Sequence, residues 1–111
     1  MLHTEILKEN RDFRRMYRQG KSAVAPLVVV YAKRNRLGIN RIGITSSKKI
    51  GNAVKRNRAR RVLRAAYREL EPQVPTGWDF VFVARTRTTL CRSTELAVAL
   101  KKCLETLVKT K

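Results

Sequence analysis

Residues 53–71 contain neither Gly nor Pro, and within them Ala59, Val62, Leu63, Ala66 and Leu70 recur at the three- and four-residue spacing of one helical face. Gly51 interrupts the chain just before this stretch. Asn52 is suited to cap it, its side-chain oxygen placed for the free amides of a first turn. Pro72 closes the far end. The apolar stripe of such a helix must pack on a core, while Asn57, Arg60, Arg61, Arg64 and Arg68 gather on the opposite face. Nine of the 21 residues from Lys48 to Arg68 are Lys or Arg, and none is acidic. Surface helices ordinarily mix the two signs, so a helix this one-sided calls for a polyanion to offset its self-repulsion. Arginine suits phosphate because its planar fork can bond two oxygens at once.

The rest of the chain sharpens that bias. Its 111 residues hold 26 Lys or Arg against 8 Asp or Glu, a formal charge of +18. Between Phe13 and Arg68 there are seventeen basic residues and no carboxylate. Nucleic acid is therefore the leading partner class, with an anionic membrane as competitor. The apolar runs fall far short of the roughly 18 residues of a membrane span. The first residues lack the basic-then-apolar pattern of a signal peptide, so the cytoplasm is expected. One domain is expected at this length, with residues 1–9 and 109–111 loosely held.

The same composition argues against catalysis by the protein. A two-metal phosphodiesterase needs clustered carboxylates, and general acid–base cleavage usually needs histidine. The only histidine is His3. Cys91 and Cys103 suggest neither a disulfide framework nor a zinc site, and Cys103 reads as a small core residue. Ser46 and Ser47 have no histidine partner, and the Gly51 region lacks the spacing of a Walker loop.

In chain order, Asn10 can cap a helix running to about Gln19, stopped by Gly20, with Phe13, Met16 and Tyr17 on one stripe and Arg11, Arg14, Arg15 and Arg18 around it. An aromatic stripe usually packs in a core. Two aromatics beside four arginines also have the composition of a single-strand platform, where bases stack on rings and Arg holds the backbone. Residues 27–32 read as a buried strand, with residues 21–24 as an extension or a separate short strand. Residues 41–45, where Ile42 and Ile44 face one way, read as a second strand antiparallel to the first across a basic turn. After the basic helix, residues 78–84 form a third strand. A strand–helix–strand order implies a crossover and a parallel pair, right-handed by default. Ser93 or Thr94 caps a last helix, with Leu96, Leu100, Cys103, Leu104 and Leu107 as its core stripe. The expected fold is α/β (α+β), a single domain of order α-β-β-α-β-α with one mixed sheet packed by helices.

The run Lys48-Lys49-Ile50-Gly51-Asn52-Ala53-Val54-Lys55-Arg56-Asn57-Arg58-Ala59-Arg60-Arg61, followed by Arg64, resembles the signature of the bacterial ribonuclease P protein component, which centres on Arg-Asn-Arg, here Arg56-Asn57-Arg58. The resemblance extends to Phe13, Tyr17, Gly20 and the strand ending at Tyr31, and weakens after about Pro72. It implies a ribosomal-protein-like fold with a left-handed crossover, and a small protein subunit of the ribonucleoprotein that removes the 5′ leader from precursor tRNA. The active site and its Mg2+ would then lie on the RNA, with no catalytic residue, metal or cofactor on the protein. Lys48, Lys49, Lys55, Arg56, Asn57, Arg58, Arg60, Arg61, Arg64 and Arg68 would meet the catalytic RNA. Phe13, Tyr17 and Tyr31, with Arg14 and Arg18, would hold the single-stranded leader. No membrane and no protein partner are called for. A general RNA-coating protein would instead show no preference for precursor over mature tRNA. A DNA module would use the basic helix in a major groove, but no compact helix-turn-helix partner precedes that helix.

Overall fold

The computed structural model describes residues 4–108, so His3 and the basic tail 109–111 lie outside the described residues. In chain order it runs β1 (Thr4–Ile6), α1 (Asn10–Gln19), β2 (Lys21–Val24), β3 (Val28–Arg34), β4 (Asn40–Thr45), α2 (Ala53–Leu70), β5 (Trp78–Ala84) and α3 (Ser93–Leu107), with 3-10 turns at Lys48–Ile50, Glu71–Gln73 and Thr86–Leu90. One mixed sheet has the order β1-β4-β5-β3-β2. The expected α-β-β-α-β-α series is present, with short strands added at both sheet edges.

The pairing of the two early strands differs from the expected hairpin. β3 and β4 do run in opposite directions, but β5 lies between them, antiparallel to β3 from Val28↔Ala84 to Arg34↔Trp78 and parallel to β4 from Arg41↔Asp79 to Thr45↔Val83. The reason is burial. β5 is apolar on both faces apart from Asp79, and a central strand is the one place where both faces are covered and both edges are paired. The crossover through α2 thus joins a parallel pair, as the strand–helix–strand order required.

The lead-in also differs. Residues 4–6 form a parallel edge strand on β4, and the Leu7 amide continues the ladder to the Ile42 carbonyl at 2.7 Å. Leu7 is buried. The Thr4 hydroxyl hydrogen-bonds the Tyr67 hydroxyl at 2.9 Å and also the Glu71 carboxylate, tying this edge to the end of α2.

Alternation along the strands separates two cores. On one face Val28, Val30, Ala32, Ile42, Phe80 and Phe82 meet α2 through Ala59, Leu63, Ala66, Tyr67 and Leu70, and α3 through Leu96, Leu100, Cys103, Leu104 and Leu107. The α3 stripe is as expected. On α2, Val62 is only half-buried and Tyr67 takes a full core place, its hydroxyl also 3.4 Å from Asn40 Nδ2. The other face carries a smaller cluster of Leu7, Met16 and Val81 beneath α1, with Phe13, Tyr31 and Val83 packed around it.

Helix ends follow local chemistry, with two shifts from expectation. Asn52 caps α2 by accepting the Lys55 amide at 3.0 Å. Asn10 is already inside α1, whose cap position is Glu9 without a side-chain bond. Ser93 is the first residue of α3, and Glu95 accepts the Arg92 amide at 3.0 Å, closing that end in place of a Ser or Thr cap.

Candidate nucleic-acid interface

The expected stripe on α1 splits as it meets the sheet. Met16 points down and is buried, Phe13 is half-buried, and Tyr17 is 43% exposed. Phe13 lies on Gly43 of β4: a β-carbon there would stand 2.5 Å from two atoms of the ring, Cε1 and Cζ. A glycine within an otherwise regular strand commonly marks such a close approach, which makes Gly43 a site residue beyond those expected from the sequence. Gly20 ends α1 for a related reason. Its backbone is extended (φ −75°), and a β-carbon would meet the Met16 carbonyl oxygen at 2.7 Å and that of Ala32 at 3.2 Å.

Tyr17 meets Tyr31 of β3 edge-on, with centroids 5.1 Å apart and planes at 74°. Tyr31, Val81 and Gly43 share one register row of β3, β5 and β4, and Val29, Val83 and Thr45 form the next. α1 covers only part of this face, so Phe13, Tyr17 and Tyr31 border a half-open apolar strip beside the helix. Arg14 and Arg18 are exposed on α1. One row away, Asp79 is held in a bidentate pair by Arg41 (2.9 and 2.7 Å) and accepts the Asn35 amide at 2.8 Å. The hydrogen bonds to Asp79 hold the Arg41 guanidinium above its ordinary pKa. The one carboxylate of β5 is thereby neutralised at the border of the strip.

The basic surface begins where β4 ends. Lys48 and Lys49 are exposed on the 3-10 turn, which Ser47 caps and Gly51 closes with a positive φ of 135°. Over Gly51 lies the Lys55 side chain, whose Cδ would be 2.8 Å from a β-carbon there. Arg56 is half-buried and donates to the Gly51 carbonyl at 3.2 Å, Arg58 to the Thr89 carbonyl at 3.0 Å, and Arg60 to the Ser46 hydroxyl at 3.2 Å. These bonds fix three guanidiniums beside the backbone and the Ser46 hydroxyl. Asn57, Arg60, Arg61 and Arg64 border an open depression of about 490 Å3, and Arg68 is exposed two turns beyond Arg61. The ion pairs found among the described residues are Arg11–Glu9, Arg15–Asp12 and Arg41–Asp79, so no cation of α2 is offset by a carboxylate within 4 Å.

Lys48 and Lys49 on the 3-10 turn lead into an outer face of α2 that carries Asn57, Arg60, Arg61, Arg64 and Arg68. Lys55 lies over Gly51, Arg56 is half-buried against the Gly51 carbonyl, and Arg58 leans on the 86–90 turn, on the opposite flank of the helix from Arg60. The three aromatics form a second strip on the opposite side of the sheet. β4 connects the two surfaces, since Gly43 and Thr45 face α1 and the chain then runs through Ser46 into the turn. Among the described residues no three His, Cys, Asp or Glu side chains come together to hold a metal ion, and no helix is long and apolar enough to cross a membrane.

A basic helix entered through Asn52 and carrying Arg56-Asn57-Arg58, set beside an aromatic strip on a mixed sheet, matches one family over nearly the whole chain: the ribonuclease P family model covers residues 1–108. The chain belongs to the ribonuclease P protein family. The ribonuclease P protein component of Alkaliphilus metalliredigens is 46% identical over 79 residues, 71% of this chain and 71% of its own. That of Clostridioides difficile is 42% identical over 83 residues, 74% of this chain and 73% of its own. The solved ribonuclease P protein of Staphylococcus aureus superposes with a TM-score of 0.80 at 30% identity, covering 91% of this chain and 93% of that one. The Thermotoga maritima protein gives 0.80 at 26% identity, over 96% and 98%. Family membership favours tRNA processing over a general RNA-coating role.

Proposed function

We propose that this chain works as the protein component of ribonuclease P in the cytoplasm, promoting endonucleolytic removal of the 5′ leader from precursor tRNA. The observation that carries this reading, within the family, is the presence of two distinct surfaces joined by β4: an unpaired basic strip and a half-open aromatic one. Lys48, Lys49, Lys55, Arg56, Asn57, Arg58, Arg60, Arg61, Arg64 and Arg68 bind the catalytic RNA, releasing its counterions. Phe13, Tyr17 and Tyr31 stack on the leader, whose phosphates Arg14 and Arg18 hold. The Mg2+ ions and the bond-breaking chemistry belong to the RNA, and the protein lowers the repulsion between two RNA polyanions. Only the precursor has a leader to fill the strip, so the protein strengthens precursor over mature binding.

The test is cleavage of a 5′-labelled precursor tRNA by a bacterial ribonuclease P RNA at low magnesium. Adding this protein restores accurate 5′ cleavage, and protein alone cuts nothing. Binding of both RNAs without any stimulation of cleavage would overturn the assignment. For the leader strip, Phe13→Ala with Tyr17→Ala, still folded, lowers the precursor-to-mature affinity ratio; an unchanged ratio would remove the strip from leader binding.

A further inference from the structure

The 3-10 turn Thr86–Leu90 and the start of α3 return against the flank of α2. There Arg58 and Arg61 of α2 face Arg92, at the head of α3, around an open depression of about 320 Å3. Val62, Ala65 and the buried Cys91 line it between them. Arg58 is tethered through Nε to the Thr89 carbonyl at 3.0 Å, which leaves its terminal amino groups to project. The nearest acid on α3, Glu95, is engaged with the Arg92 backbone amide at 3.0 Å. Among the described residues none of the three guanidiniums has a carboxylate within 4 Å.

Three unpaired guanidiniums from two helices, converging over an apolar floor, repel one another unless an anion sits between them. Forked donors match the oxygens of a phosphate. The volume lies at the lower end of ligand-sized cavities, about 300–1,000 Å3, a size that suits a single nucleotide. We infer that this depression seats one unpaired nucleotide of the catalytic RNA, its phosphate held between Arg92 and the Arg58–Arg61 pair and its sugar or base against Val62 and Ala65. The inference rests on the reading that α2 faces that RNA. It adds Arg92, which lies outside the carboxylate-free stretch from Phe13 to Arg68, to the binding surface, and it specifies an unpaired site in the RNA. Unpaired nucleotides are the ones whose faces are free to be read in this way.

The experiment is equilibrium binding of this protein to a bacterial ribonuclease P RNA across a salt series, with Arg92→Ala, Arg92→Lys, Ala65→Leu and, as a matched loss of charge outside the depression, Arg87→Ala. Each variant is first checked for an unchanged circular-dichroism spectrum and melting. Arg92→Ala weakens binding about 10-fold and lowers the salt slope by about one, the signature of a lost phosphate contact. Arg92→Lys recovers little of the affinity, since a point charge replaces the fork. Ala65→Leu fills the floor and weakens binding several-fold with the salt slope unchanged, a readout that does not depend on the head of α3. Arg87→Ala changes affinity by no more than about twofold. Equal effects of Arg92→Ala and Arg87→Ala, full rescue by Lys, or wild-type binding by Ala65→Leu would each overturn the seat while wild-type protein still stimulates cleavage. Wild-type protein that fails to bind the catalytic RNA would overturn the functional reading itself, and the seat with it.

Discussion

Gly43→Ala is the most informative single substitution in the aromatic strip. The added methyl would lie 2.5 Å from Cε1 and Cζ of Phe13 and 3.3 Å from Cβ of Leu7. Carbon atoms settle at about 3.5–4.0 Å, so the ring must withdraw by about 1 Å or more. It is hemmed in by the α1 backbone that carries it and by Leu7 and Met16 below, so the shift tilts α1 off the sheet or turns the ring towards solvent. Overpacking of this kind costs about 1–3 kcal/mol. Replacing Gly by Ala restricts the unfolded chain and returns about 0.4–1 kcal/mol, leaving a net loss of up to about 2.6 kcal/mol. For a domain of this size that is a drop in melting temperature of up to about 15 °C. Phe13→Ala removes the clash, so the Gly43→Ala/Phe13→Ala pair is less destabilised than the sum of the singles by at least about 1 kcal/mol in a double-mutant cycle. Urea melts of the four proteins supply the cycle. Precursor and mature tRNA binding to the reconstituted holoenzyme supplies the functional arm, in which Gly43→Ala alone lowers the precursor preference. Additive melts together with an unchanged preference would show that the Phe13 ring does not rest on Gly43, and the geometry of the strip would have to be redrawn.

Three further outcomes follow from the packing. Asn52→Ala removes the acceptor of the Lys55 amide and costs about 1 kcal/mol in a thermal melt, whereas Asn52→Asp retains the cap and adds a favourable charge at the helix start; equal melting of the Ala variant and wild type would remove Asn52 as the cap. Asp79→Ala leaves Arg41 without its bidentate partner and removes one of the two acceptors of the Asn35 side-chain amide, which keeps the Ile39 carbonyl, and destabilises by about 2–3 kcal/mol, more than Arg41→Met, which keeps the stem packed; the reverse ranking in urea would refute the pairing argument. Burial pushes the thiols of Cys91 and Cys103 and the Tyr67 hydroxyl above their ordinary pKa values. The unfolded chain therefore releases these protons first: the contribution to stability is full below the ordinary thiol value of about 8.5 and declines as pH rises through the folded values. Urea midpoints between pH 7 and 10 that decline just as steeply in Cys91→Ala/Cys103→Ala would exclude the thiols as part of the cause.

Much of this was legible in the sequence because it depends on local pattern. The basic helix, its Asn52 cap, the α3 stripe and the central strand all follow from periodicity, breakers and composition over a dozen residues or fewer. Arg56-Asn57-Arg58 carried the family assignment through the same kind of local signal. What lies beyond the sequence is set by tertiary contact. The hairpin reading failed because residues 27–32 and 41–45 are adjacent in sequence, yet the more apolar β5, arriving 30 residues later, separates them. Residues 4–7 look like an unstructured lead-in until β4 offers an open edge. The split of Phe13, Met16 and Tyr17 into half-buried, buried and exposed depends on where α1 crosses the sheet. Gly43 did carry a usable signal, a lone glycine between Ile42 and Ile44, which marks a place where something approaches the strand.

The sheet itself explains how so basic a chain folds at all. Its cations lie on the outside, on the helices at both faces of the sheet and on the turns, while the interior of the two cores is apolar and its buried polar groups are bonded. Asn40 accepts the Trp78 amide at 2.9 Å, and Glu71 meets Thr4. Repulsion among the exposed cations remains, and it is strongest along the Lys48–Arg68 strip. Binding of a polyanion removes that penalty from the folded state and not from the extended chain, in which the same charges are farther apart. Folding and RNA binding are therefore linked through one electrostatic term, and the surface that recognises RNA is also the one whose self-repulsion RNA relieves.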